Sequence, residues 1–101
     1  MMWSLNEAIA WVQQNEPLAA SVGWHLGLTG GVLFRNGSDK DLDVICYKHN
    51  EEINHVTPER LIEKLRLTTS MHINQHKDYP TSKNLYICWA NSKRFDIFIM
   101  S

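Results

Sequence analysis

Leu5, Ala8, Ile9 and Val12 recur at the three-and-four spacing of a helix that buries one stripe. Ser4 and Glu7 make a capping-box pair at its start, each side chain satisfying a backbone N–H that the first turn leaves over. The pattern predicts a helix that ends before Pro17, because proline disfavours helical geometry in the residue ahead of it. A second short helix is expected over 17–22, with Pro17 at its first position and Gly23 just past its end. Residues 24–29 then read as a strand.

From Asp41 the period changes to two. Asp41, Asp43 and Ile45 fall on one side of a predicted strand over 41–47, and Leu42, Val44 and Cys46 on the other. Residues 48–55 are polar and read as a loop. Thr57 as cap, Pro58 at the first position and Glu59 near the positive end of the dipole then start a helix whose buried stripe is Leu61, Ile62 and Leu65. Residues 71–82 show no regular pattern and are expected to be an exposed loop bordering a substrate entrance. Within them His72 and His76 stand four apart, a spacing that pairs imidazoles only on a helix, and no third zinc ligand accompanies them. Two apolar strands, 85–89 and 94–99, are separated by Ala90-Asn91-Ser92-Lys93, a connection short enough for an antiparallel hairpin. On the second of them Phe95, Ile97 and Ile99 share a side, leaving Asp96 with Phe98. The fold expected is α+β: a twisted mixed sheet of about four strands with helices packed on one face and the acids on the open side.

A chain of 101 residues with 44% hydrophobic content and four tryptophans implies one folded domain, 1–101, rather than disorder. Trp3, Trp11, Trp24 and Trp89 are expected in the core or half-buried. No apolar run approaches the roughly 20 residues that span a bilayer, and no secretory pattern opens the chain, so a cytoplasmic protein without membrane contact is expected. Cys46 and Cys88 lie in apolar runs without metal-type spacing and read as buried hydrophobes. A formal net charge of −1 excludes a surface built as a general trap for nucleic acid, though not local contacts. Arg35, Lys40, Lys83, Lys93 and Arg94 are the cations near the acids by sequence or by hairpin pairing.

Two carboxylates on one strand face oppose each other's ionisation unless a positive charge joins them. A hard divalent cation is the usual remedy, and Mg²⁺ takes one or two carboxylates together with substrate phosphates. Asp96, in the middle of an apolar strand, needs compensation of the same kind. The Gly30-Gly31 pair offers backbone N–H groups that an anion can approach. The glycine pair Gly30-Gly31, about ten residues of loop, then Asp41-Leu42-Asp43-Val44, and later Asp96 between Phe95 and Ile97, resembles the nucleotidyltransferase superfamily typified by DNA polymerase β.

That resemblance implies a nucleotidyltransferase-like fold in a minimal, single-domain form. It implies Asp41, Asp43 and Asp96 as catalytic residues and ligands of two Mg²⁺ ions, with Mn²⁺ as a substitute. Gly30, Gly31, Arg35, Ser38 and Lys40 would contact the nucleotide. The reaction implied moves an NMP group from an NTP, ATP first among them, to a hydroxyl on a protein, an RNA or a small molecule, and releases pyrophosphate. A separate partner protein or RNA, or self-association, would supply what the larger family members carry as extra domains.

Alternatives stay open at this level. Ser38-Asp39-Lys40-Asp41 also fits the family pattern, with Asp39 and Asp41 as the acidic pair; the apolar alternation of Leu42 and Val44 favours Asp41 and Asp43. The same fold could serve as a catalytically silent nucleotide- or partner-binding module. A metal-dependent phosphohydrolase is a weaker fit, since no water activator is evident. In a purely structural reading Lys40 and Arg94 cap the acids and no ion is needed.

Overall fold

A computed structural model of the chain describes residues 2–30, 37–38, 40–49, 56–74 and 84–100. Its elements run β1 (Trp3–Ser4), α1 (Leu5–Ser21), β2 (Trp24–Thr29), β3 (Gly37–Ser38), β4 (Asp41–Lys48), α2 (Pro58–Lys64), β5 (Thr68–Asn74), β6 (Asn84–Ala90) and β7 (Lys93–Ile99). Among them β2, β4, β7, β6 and β5 form a mixed five-stranded sheet in that spatial order. Only β4 and β7 pair in parallel. The chain leaves β4, beside the β2 edge, passes through α2 to the far edge at β5, and returns strand by strand until β7, the central strand, lies beside β4. A two-residue pair, β1 with β3, stands apart and sets Trp3 opposite Ser38 and Ser4 opposite Gly37.

The expected capping box opens α1, with Glu7 N–H donating to Ser4 Oγ and Ser4 N–H to Glu7 Oε1, both at 3.1 Å. The helix does not stop before Pro17. It runs unbroken to Ser21 with Pro17 inside it, so the two expected helices are one. An interior proline removes one hydrogen bond and crowds the preceding turn at a cost of about 3 kcal/mol. Here the helix is held from both sides of that point, by Ala8 in the core ahead of it and by Ala19 in the core behind it, each fully buried. Packing outweighs the local penalty. The helix closes at Gly23, whose φ of +81° is the left-handed conformation of a C-terminal stop. Ile9, expected in the buried stripe, is exposed.

Alternation along β4 works as expected. Leu42, Val44 and Cys46 are fully buried, and in the neighbouring strands Trp24, Leu26, Phe95, Ile97, Tyr86 and Cys88 face the same side. Ala8 and Ala19 of α1, with Leu61 and Ile62 of α2 and Leu65 just beyond it, complete the core. Each fully buried large aliphatic side chain there contributes on the order of 1.5–3 kcal/mol. Trp3 and Trp11 close the end of this core by packing on Phe95 at ring-centroid distances of 5.2 and 5.0 Å. The two helices thus cover one face of the sheet.

The hairpin of β6 and β7 turns through Asn91 and Ser92, both at positive φ (+52° and +64°), as a two-residue turn matched to strand twist requires. Two expectations fail at the other edge. Residues 71–74 are not loop but part of β5, paired antiparallel with β6. Every residue of β5 is exposed, so no buried alternation marks it, and it brings the sheet to five strands instead of about four. Trp89, expected to be at least half-buried, is 41% exposed, because it lies opposite Thr68 on the face without a helix. Cys46 and Cys88 are free and buried, and burial pushes the Cys46 thiol up to about 12. Among the described residues no helix is long and apolar enough to cross a membrane.

Candidate metal centre

The parallel register of β4 with β7 sets Asp41 opposite Arg94 and Asp43 opposite Asp96. All four side chains therefore lie on the face that the helices leave open. One carboxylate oxygen from each of Asp41, Asp43 and Asp96 lies within 4.8 Å of the others. Asp96 is buried, 7% exposed, while Asp41 and Asp43 are half-buried. Three acids from two adjacent strands thus share one small volume at the sheet centre.

Gly30 borders this cluster. It follows β2, whose last residue Thr29 pairs with Asp43. Its φ is +74°, and a methyl group added there would overlap the Asp43 carboxylate, at 2.8 Å from Cγ. A glycine is required on both counts, by the backbone conformation and by the close approach of Asp43.

Arg94 supplies the positive charge. Its Nε donates to Asp96 Oδ1 at 2.9 Å and its Nη2 to Asp96 Oδ2 at 3.3 Å, a two-pronged pairing. The same Nε is 3.8 Å from Asp41 Oδ2. The Asp96 hydrogen bond raises the Arg94 pKa further above its usual value. Asp41 is pushed above the usual carboxylate range, first by burial and then by the neighbouring Asp96, with Arg94 pulling the other way.

The donor set fits a hard divalent cation. All three groups present carboxylate oxygen, they converge, and Asp41 and Asp43 are half-buried.

Other residues singled out by sequence fall differently. Gly31, Arg35, Asp39 and Lys83 lie outside the described residues, as does His76. The backbone of Ser38 pairs with Trp3. Lys40 is exposed immediately ahead of Asp41. Lys93 does not face the acids. It sits on the helix-covered side, where Nζ donates to Glu7 Oε2 at 3.2 Å and lies 4.3 Å from the Trp3 ring centroid. The purely structural reading of the sequence, with Arg94 capping the acids and Asp96 paired, is met by the contacts of Arg94 with Asp96 and Asp41, since alternate residues of a strand share a side. A groove lined by Leu18, Val22, Arg60, Glu63, Lys64 and Arg66 lies between the two described helices.

No protein-family model matches the chain, and no curated protein matches its sequence.

Proposed function

We propose that this chain is a Mg²⁺-dependent nucleotidyltransferase on a nucleotidyltransferase-like fold, moving an NMP group from an NTP to a hydroxyl acceptor. The observation that carries the reading is the convergence of Asp41, Asp43 and Asp96 on the open sheet face, beside a glycine whose left-handed backbone ends the adjoining strand. Asp41, Asp43 and Asp96 would hold the metal, which when bound neutralises phosphate charge and makes the acceptor hydroxyl easier to deprotonate. A carboxylate oxygen of Asp96 takes the hydroxyl proton. The acceptor oxygen forms its bond to the α-phosphorus as the α–β bridging bond breaks, and pyrophosphate leaves. Gly30, held against Asp43 in a left-handed conformation, would turn its backbone N–H toward phosphate oxygens, and Lys40, exposed just ahead of Asp41, would meet their charge. The acceptor, whether on a protein, an RNA or a small molecule, would approach from the face opposite the described helices.

A second reading is a catalytically silent nucleotide- or partner-binding module. The pairing of Arg94 with Asp96 favours it, because that pair already compensates the buried acid. Incubating the protein with Mg²⁺, each NTP in turn and a panel of protein and RNA acceptors separates the two. Pyrophosphate release that Asp41→Asn and Asp43→Asn abolish supports the transferase. Triphosphate binding without release on any acceptor supports the silent module, and neither binding nor release removes both.

A further inference from the structure

At the other end of the β2–β4 pair three polar side chains form a chain of contacts that the acidic cluster does not involve. Glu16 of α1 places Oε1 2.5 Å from Nδ1 of His25, and its Oε2 accepts the Leu26 N–H at 2.8 Å. The carboxylate is therefore fixed by the backbone of β2, and it in turn fixes the His25 ring. On the far side of that ring Nε2 lies 2.9 Å from Nδ1 of His49. His49 follows β4 and is itself anchored, its N–H donating to Gly23 O at 2.8 Å.

We propose that His25 and His49 form a site for a borderline-soft divalent metal such as Zn²⁺, with Glu16 as the carboxylate that orients the first ligand. A histidine that binds metal through one ring nitrogen almost always gives its other N–H to a carboxylate or carbonyl, which sets the tautomer. His25 has that arrangement before any metal arrives: with Nδ1–H committed to Glu16, the lone pair of Nε2 is directed at His49. Moving the His49 proton to its own Nε2 turns a second lone pair inward. Two imidazole nitrogens on one tetrahedral Zn²⁺ stand roughly 3.3 Å apart at Zn–N bonds of about 2.0–2.1 Å. Passing from the observed 2.9 Å contact to that geometry parts the nitrogens by about 0.4 Å and turns their lone pairs, which lie along one line in the hydrogen bond, toward a common point. That movement falls on the exposed His49 ring because Glu16 fixes His25. Among the described residues only two protein nitrogens are offered, as with the sequence pair His72 and His76, but here they already touch and one is oriented by a carboxylate. Water at the exposed His49 would have to fill the remaining positions, which keeps the binding weak.

The site is separate from the carboxylates in place and in chemistry. His25 pairs with Tyr47 and Thr29 with Asp43, four residues further along β2, or about 13 Å. Imidazole selects Zn²⁺, Cu²⁺ or Ni²⁺, whereas an all-carboxylate set selects Mg²⁺ or Mn²⁺. A metal here would tie α1 and β2 to the end of β4.

Calorimetric titration of the full chain with Zn²⁺ in excess Mg²⁺, alongside imidazole nitrogen chemical shifts from NMR, tests this. One Zn²⁺ should bind at sub-millimolar concentration and shift the His25 and His49 resonances, and Asp41→Asn should leave both results unchanged. His49→Ala, at an exposed position, should weaken binding more than tenfold, and Glu16→Gln about tenfold. Absence of any shift at millimolar Zn²⁺ would mean that the imidazoles are only hydrogen-bonded to each other. Binding that survives His49→Ala but is lost in Asp41→Asn would place the ion on the acids. Either result overturns the proposal, and the wild-type shifts decide it without relying on any variant.

Discussion

Gly30 and Asp43 approach each other so closely across the β2–β4 pair that no side chain fits between them. A methyl group on Gly30 would lie 2.8 Å from Cγ of Asp43, and the backbone there has a φ of +74°. Gly30→Ala therefore meets two penalties, a left-handed conformation worth roughly 1–2 kcal/mol and displacement of the Asp43 carboxylate. Thermal unfolding should show a loss of stability of about 1–3 kcal/mol. Mg²⁺ titration of the same variant should show weakened binding beyond what the lost stability explains. Equal Mg²⁺ affinity in the variant and the parent would mean that Asp43 does not serve the ion.

Arg94 occupies the position of a competing cation. It bridges Asp96 and Asp41 at 2.9 and 3.8 Å from a single Nε, so any metal held by those acids must share them with the guanidinium. Arg94→Met leaves Asp96 buried without its partner, which should lower metal-free stability by about 1–3 kcal/mol, discounted for the partial exposure of the arginine. Mg²⁺ should then raise the melting temperature of Arg94→Met by more than it raises that of the parent. If Mg²⁺ leaves the variant as unstable as before, the three carboxylates do not hold the ion.

Asp41 gives the cluster a pH signature. Its carboxyl is held above the ordinary value of 3.8 by burial and by Asp96. Between that value and the raised one the native state binds more protons than the unfolded chain, so stability falls as pH climbs through the window. Above the window the penalty is complete. Asp41→Asn should accordingly stabilise the metal-free protein at neutral pH, and the gain should shrink to nothing below about pH 4. Nucleotidyl transfer by this variant should drop on the order of a hundredfold or more. Urea unfolding across pH together with pyrophosphate release measures both, and undiminished release would end the metal assignment.

The parts of the architecture that could be read in advance are those where burial imposes a period. Leu42, Val44 and Cys46 alternate because one side of β4 is sealed by helices, and that alternation also placed Asp41 and Asp43 together on the other side. Thr57 and Pro58 mark the start of α2 because a helix leaves backbone donors that only a few residue types satisfy. What escaped reading depended on contacts distant in sequence. Pro17 suggested a break that the buried Ala19 overrides. β5 gave no pattern because both of its sides are exposed, and it joins β6 through the backbone ladder and polar cross-strand contacts such as Ser70 with Trp89 and His72 with Tyr86. The neighbouring positions of Asp43 and Asp96 come from a parallel register that no local pattern encodes. Glu16, His25 and His49 went unnoticed for the same reason, being brought together only when α1 packs beside β2.

Tyr86 ties α2 to the sheet through a contact that is independent of the acidic cluster. Its hydroxyl donates to Glu59 Oε1 at 2.6 Å, joining the first turn of the helix to the core-facing side of β6. This hydrogen bond is the largest of the effects that lower the Glu59 pKa from 4.5, while burial and the same carboxylate raise that of Tyr86. Glu59 with a lowered folded value contributes stability that is present above pH 4.5 and disappears as pH falls through that lowered value. Tyr86→Phe keeps the ring and its packing but removes the donor, so the expected loss is about 1 kcal/mol at neutral pH, for a carboxylate that water also reaches. In a chain of this size that corresponds to a melting temperature lower by roughly 4–8 °C. The gap between parent and variant should narrow as Glu59 protonates and loses its preference for the hydroxyl. A gap that stays constant from pH 7 down to pH 3 would assign the cost to ring packing instead of the charged acceptor.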